Sequence, residues 1–371
     1  MRFHFKEKAS TLYDFFMFPK LLYIEPEETH KLNDVLGDEI SKTFLDHDAY
    51  KAFIKAARED LEPYKDPLLG FYADEVISNY DFPSLLFRSY SLLGYETHQD
   101  YLQAIKADDD AVIKKNLIYA LIKVESGDDE ISDEEARASA ESLCDDSDAL
   151  LKLIRQTPTT ENHRWILMMI IENPKSYLNV YIDLMNTLKP VFERHYRNYE
   201  KKIEHFKQDI VETLQKGGVE AFEALTHNII PREILKDEND IITSVVNPYR
   251  FGGLTFGEDA VIVWGLEMKT GFKNIADFSQ DTRKNRAKVF KTLSDETRYE
   301  VLKHIANGVR STKTIATSLG ISSATVIYHI NAFITAKLIK VVKTNDKPGY
   351  LVDYEGLETF WRDFINDLKS K

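Results

Sequence analysis

Residues 311–350 read STKTIATSLGISSATVIYHINAFITAKLIKVVKTNDKPGY, and the fold turns on this stretch. Ser311 stands where a hydroxyl can accept a free N–H at the start of a helix, TKTIATSL. Gly320 follows where that helix would end through a left-handed residue. Ser322 is placed to cap a second helix, SATVIYHINAFITAKL, so the pattern is two short helices about a glycine turn, a helix-turn-helix. Ala316 falls where a larger side chain would strike the second helix, and Val326 is spaced to pack back on the first. Beyond them, LIKVVKT and YLVD read as short strands about NDKPG, a turn-rich tip carrying Lys347. A helix-turn-helix followed by a basic hairpin is a winged helix.

Working outward, RKNRAKVFKTLSDETRYEVLKHIANG contains two successive helices. Ser294 is the expected N-cap of the second, with Asp295 and Glu296 on the positive end of its dipole. Val301, Leu302 and Ile305 form its buried face, and Gly308 its stop. On the other side, Leu357, Phe360, Trp361, Phe364, Ile365 and Leu368 recur at steps of three and four, a large apolar stripe suited to a second copy of the chain.

The N-terminal part reads differently. From Leu12 to about Gly217 the pattern is mostly helical, and Ser132 with Glu135 fits a capping box. After Pro190 a long helix is expected, with Phe192, Tyr196, Tyr199, Ile203, Phe206 and Ile210 in one stripe. That stripe suits core packing, a second subunit or, with His195 nearby, the wall of an effector pocket. From Asp240, two β-branched runs flank Gly252, Gly253 and Gly257 as a hairpin with a long loop, and MRFHF is a strand able to pair with it. The expected fold is mainly α (α+β): a large acidic helical domain with a β-hairpin over residues 1–280, serving sensing or oligomerisation, then a winged helix-turn-helix over 281–371.

Two domains suit a length of 371 residues. The longest apolar run, Trp165 to Ile171, is far short of a membrane span, and the first residues lack an export signal. A single cysteine, Cys144, leaves no internal disulfide and no thiolate cluster, so a cytoplasmic protein is expected. The net charge is −13, yet Arg283 to Tyr350 hold thirteen Lys and Arg against four Asp and Glu. A basic module on an acidic body points to a polyanionic partner, double-stranded DNA.

The segment LSDETRYEVLKHIANG and IATSLGISSATVIYHINAFITAKLIK resembles the arsenical-resistance repressor (ArsR-type) family of prokaryotic winged-helix regulators. The shared residues are Leu293, Ser294, Asp295, Thr297, Arg298, Ile315, Ala316, Leu319 and Gly320, then Ser322, Thr325, Val326, His329, Leu338 and Ile339. The match covers about the last quarter of the chain. The resemblance implies a homodimer that binds an operator and is released or altered by a signal. The family's metal sensors carry paired cysteines at places that fall here on Ser311 and Lys313, and a second metal site needs a histidine on the last helix, which has none. No metal or cofactor is therefore expected.

In this reading the recognition helix is Ser322–Ala336. Val326, Ile330 and Phe333 are its buried stripe, leaving Ser323, Ala324, Thr325, Tyr328 and His329 outward or partly so. Their hydroxyls and methyls can meet base edges, and no arginine lies on that face. Lys313, Lys343 and Lys347 are the candidate phosphate contacts, with Ser311 and Ser322 at helix starts. Two other readings stand beside this one. A winged helix can serve as a protein-interaction adaptor, and the N-terminal domain can hold an unrecognised active site. Against an enzyme, the chain has no GxGxxG opening a helix, no phosphate loop, no HExxH and no GxSxG.

Overall fold

The computed structural model describes residues 1–25, 48–72, 80–126, 131–157, 159–280, 282–309, 311–321, 323–344 and 347–369. The architecture is mainly α with a small amount of β. Among the described residues, buried apolar side chains form two separate clusters. One runs from Phe3 to Ile275, the other from Val289 to Ile339, and no buried residue belongs to both.

The larger cluster is wrapped by helices around a four-stranded sheet. Its strands are β1 (Arg2–Phe5), β2 (Glu238–Ser244), β3 (Phe251–Phe256) and β4 (Asp259–Gly265), in the order β1-β2-β4-β3. β1 lies parallel to β2 with Phe3 opposite Asn239, as MRFHF suggested it would pair. The expected hairpin is corrected. The two β-branched runs, β2 and β4, are parallel neighbours with Ile241 opposite Ile262. The glycine-rich stretch between them is itself a strand, β3, antiparallel to β4. Gly252 and Gly253 sit in this edge strand, where open space surrounds their α-carbons. Gly257 makes the β3–β4 turn at φ +60°, and its N–H donates to the Phe87 carbonyl at 2.7 Å, an approach a side chain would crowd.

One buried acid ties the first helix, Glu7–Met17, to the end of β2. Asp14 accepts from the Ser244 hydroxyl (2.5 Å) and from the backbone N–H groups of Val245 (2.7 Å) and Val246 (3.3 Å). Burial pushes its carboxyl up to about 7 despite these three donors.

The long helix begins earlier than expected. It runs from Pro174 to Tyr196 with Pro190 inside it, then continues through a 3-10 turn (Arg197–Tyr199), a helix (Glu200–Phe206), a π turn (Lys207–Val211) and a further stretch, Glu212–Leu225, that is two helical pieces kinked at Gly218 (φ +58°). Proline lacks one N–H and crowds the preceding turn, yet tertiary packing holds the helix through it. The aromatic stripe closes on its own chain. Phe192 meets Phe15 (ring centroids 5.1 Å apart) and Phe18 (5.6 Å), Tyr199 meets Phe53, and Phe206 meets Phe5. His195 is buried with its Nε2 2.7 Å from Asp60. Phe192, Ile203, Phe206 and Ile210 are buried and Tyr196 and Tyr199 half-buried, so the stripe serves core packing, one of the uses its spacing suits.

Candidate nucleic-acid interface

The smaller cluster is built from local signals. A helix over Thr282–Leu293 precedes one over Glu296–Ala306. The cap of the latter lies one residue later than expected: Asp295 Oδ1 accepts from the Arg298 backbone N–H at 2.8 Å. Ser294 instead donates its hydroxyl to the Lys291 carbonyl. Either side chain suits an N-cap, and the ionised one also complements the helix dipole. Val301, Leu302 and Ile305 are buried, and Gly308 turns the chain at φ +79°.

Ser311 caps the next helix, Thr312–Leu319, its Oγ accepting from the Thr314 N–H at 2.9 Å. Gly320 ends that helix at φ +67°, and the Ile321 N–H closes back on the Ala316 carbonyl. The recognition helix follows over Ser323–Thr335. Val326, Ile330 and Phe333 are almost fully buried against Ile315 and Ala316 in the same cluster. Lys337 supplies a left-handed residue at φ +56° and leads into β5 (Ile339–Thr344). β6 (Lys347–Val352) pairs with it antiparallel. The wing is therefore longer than expected: the ladder reaches Thr344 opposite Lys347, so Lys347 belongs to a strand and not to the tip.

Not all the residues singled out from sequence point outward. The Ser311 hydroxyl is occupied in its cap, and Lys313 is exposed. Lys313 lies near enough to Glu125, at the end of the Asp110–Ser126 helix, to oppose the rise that burial imposes on that carboxyl. Ser322 lies outside the described residues. Ser323 and Ala324 form the start of the recognition helix, in front of half-buried Thr325. Lys343 stands opposite Pro348 in the wing register. Tyr328 is exposed at 36%. His329, expected outward or partly so, is 6% exposed, with its Nδ1 turned to Arg298 of the preceding helix.

Two residues were missed. Ile327 is 44% exposed beside Tyr328, an apolar group on the outer side of the recognition helix. A helical wheel set by Val326, Ile330 and Phe333 places it there. The second is Arg298, from the preceding helix. Its Nε donates to His329 Nδ1 at 3.3 Å and its Nη2 to the Tyr328 hydroxyl at 3.2 Å. The guanidinium carbon sits 5.4 Å from the Tyr328 ring centroid. Burial first, and then the Arg298 charge, hold His329 below the usual histidine range, so its neutral form, with Nδ1 as acceptor, is favoured. Thus the expectation of an arginine-free face fails, for a reason invisible within the recognition helix itself.

The terminal helix, Tyr354–Lys369, divides its apolar stripe. Leu357 and Phe360 pack on the smaller cluster, and Phe290 stacks edge-on against Phe360 (5.5 Å) and Phe364 (4.8 Å). Trp361, Ile365 and Leu368 stay 44%, 46% and 70% exposed.

A family model for the helix-turn-helix domain matches residues 293–342. The matched span runs from the end of the Thr282–Leu293 helix into β5, so it contains the capped helix pair and the recognition helix. No curated protein and no solved structure matches the chain. Among the described residues, no group of three or more His, Cys, Asp and Glu is arranged to hold a metal ion. No described helix is long and apolar enough to cross a membrane. The helix-turn-helix indicates DNA-binding regulation.

Proposed function

We propose that the protein is a dimeric transcription regulator of ArsR type that reads an operator in double-stranded DNA and is not an enzyme. One observation carries this reading. A recognition helix anchored by Val326, Ile330 and Phe333 presents Ile327 and Tyr328 outward, beside a two-stranded wing, in a basic segment of an acidic chain. In the major groove, the methyl groups of Ile327 and Thr325 suit thymine C5-methyls, and the Tyr328 hydroxyl suits a base edge or a phosphate. Lys313, Lys343 and Lys347 add phosphate contacts that give affinity without sequence preference.

The exposed Trp361, Ile365 and Leu368 favour a homodimer formed through the terminal helices. Two recognition helices would then meet half-sites about 34–36 Å apart. The acidic N-terminal part supplies the controlling input, an effector or the oligomer contact, and the protein acts in the cytoplasm. Binding of the full-length chain to duplex DNA, followed by anisotropy over a range of salt, tests the reading. DNA binding predicts a straight, steep fall of log K with log salt. An adaptor would show no such binding, and an enzyme would turn over a substrate with duplex absent.

A further inference from the structure

We infer that Arg298 is a DNA phosphate contact, carried on the helix before the helix-turn-helix and held at the recognition helix by Tyr328 and His329. The inference rests on the DNA-binding reading above and adds a residue to it. Arg298 is thirty positions from Tyr328 in sequence, yet its side chain lies across the recognition helix. All three of its side-chain contacts are to uncharged groups: the His329 ring nitrogen, the Tyr328 hydroxyl and the Tyr328 ring face. The adjacent Asp295 uses Oδ1 on the Arg298 backbone N–H, and among the described residues no carboxylate pairs with the guanidinium. Two other half-buried arginines are ion-paired, Arg58 with Glu25 and Arg286 with Asp367, whereas Arg164 donates to the Thr157 carbonyl; what sets Arg298 apart is that its uncharged partners lie on the recognition helix.

The geometry of the fork matters as much as the charge. A guanidinium has five N–H groups in one plane. His329 and Tyr328 take the edge formed by Nε and Nη2. The opposite edge, one hydrogen from each terminal nitrogen, has no acceptor among the described residues. That pair of parallel N–H groups is the one that grips a phosphate bidentately. Stacking on Tyr328, itself on the outer side of the recognition helix, fixes the plane and lowers the entropy lost on binding. A positively charged fork, pre-oriented by neutral partners and with no counterion among the described residues, is built to meet an anion.

A purely structural tie between two helices makes a different prediction, because it needs hydrogen bonds and not charge. The full-length chain is titrated with sheared duplex DNA of mixed sequence between roughly 50 and 200 mM salt. Arg298→Gln should weaken binding to all sequences alike by roughly tenfold at the lowest salt and lower the salt slope by about one. Arg298→Lys should keep the wild-type slope, since the charge persists, while binding several-fold more weakly, since the fork is lost. An unchanged slope in Arg298→Gln, with only a lower melting temperature, would overturn the inference in favour of the structural tie. Loss confined to preferred sequences at constant slope would also overturn it, by making Arg298 a base reader. If Arg298→Gln gives no cooperative melt, Arg298→Lys decides alone, and wild-type affinity in it contradicts the proposal. Should the wild-type chain itself show no salt-dependent binding, the DNA-binding reading fails first; a lower slope in Lys313→Gln with none in Arg298→Gln would sink only the inference about Arg298.

Discussion

Two apolar stripes in this chain look alike in sequence and end differently. One, from Phe192 to Ile210, is covered by Phe5, Phe15, Phe18 and Phe53 of its own chain. The other, from Leu357 to Leu368, is covered on one side by Phe290 and the smaller cluster and leaves Trp361, Ile365 and Leu368 in solvent. Helical spacing of three and four announces that a face will be buried, without saying by what. The first stripe is spent on folding. The second retains apolar surface that folding has not used, which is what association requires.

Substitutions on the two stripes should separate their fates, most strongly in the first. Phe206→Ala removes a fully enclosed ring from the first stripe and should cost about 3–5 kcal/mol in urea unfolding. A loss within the range of surface substitutions would show that this stripe is not core.

The buried Asp14 gives the next effect. Its folded pKa of about 7 lies above the ordinary value of 3.8, so the folded state binds the proton more tightly than the unfolded chain does. Its contribution to stability is therefore present at low pH and is lost as pH rises towards 7. Relative to Asp14→Asn, the wild type should be more stable at pH 5 than at pH 8 by roughly 2 kcal/mol. Parallel stability curves for the two proteins would contradict this account of the carboxyl.

Ser311→Ala should cost about 1 kcal/mol through the lost cap on the Thr312–Leu319 helix, read as a lower melting temperature for the smaller cluster. Ile365→Glu, on the second stripe, should change unfolding free energy by less than about 0.5 kcal/mol. In sedimentation, however, it should shift the proposed dimer to monomer. A variant that stays dimeric would move the contact elsewhere.

What the sequence showed was local. The Ser132–Glu135 capping box, the Ser311 cap, the left-handed Gly320 and the buried Val326, Ile330 and Phe333 each depend on residues a few positions apart. What it hid was set by distant partners. The parallel pairing of β2 with β4 depends on β3 folding back to the outer edge, which no run of β-branched residues reveals. Pro190 sits inside a helix whose aromatic side chains pack on either side of it, Tyr181 on Phe16 and Phe71 and Phe192 on Phe15 and Phe18, and that packing outweighs its local cost. At the candidate site, His329 turns inward and Arg298 arrives from thirty residues away, so neither could be read from the recognition helix alone.

The most direct test of the central claim compares the wild-type chain with a Thr325→Ala, Tyr328→Ala double variant on duplexes selected by the wild type from a random-sequence pool. The double variant should lose its preference for the selected duplexes, by about 1–3 kcal/mol per base pair it no longer reads, while its stability falls only by about 1 kcal/mol for the lost Arg298–Tyr328 contact. Equal affinity and equal preference in the two proteins would show that the outer side of this helix does not read DNA.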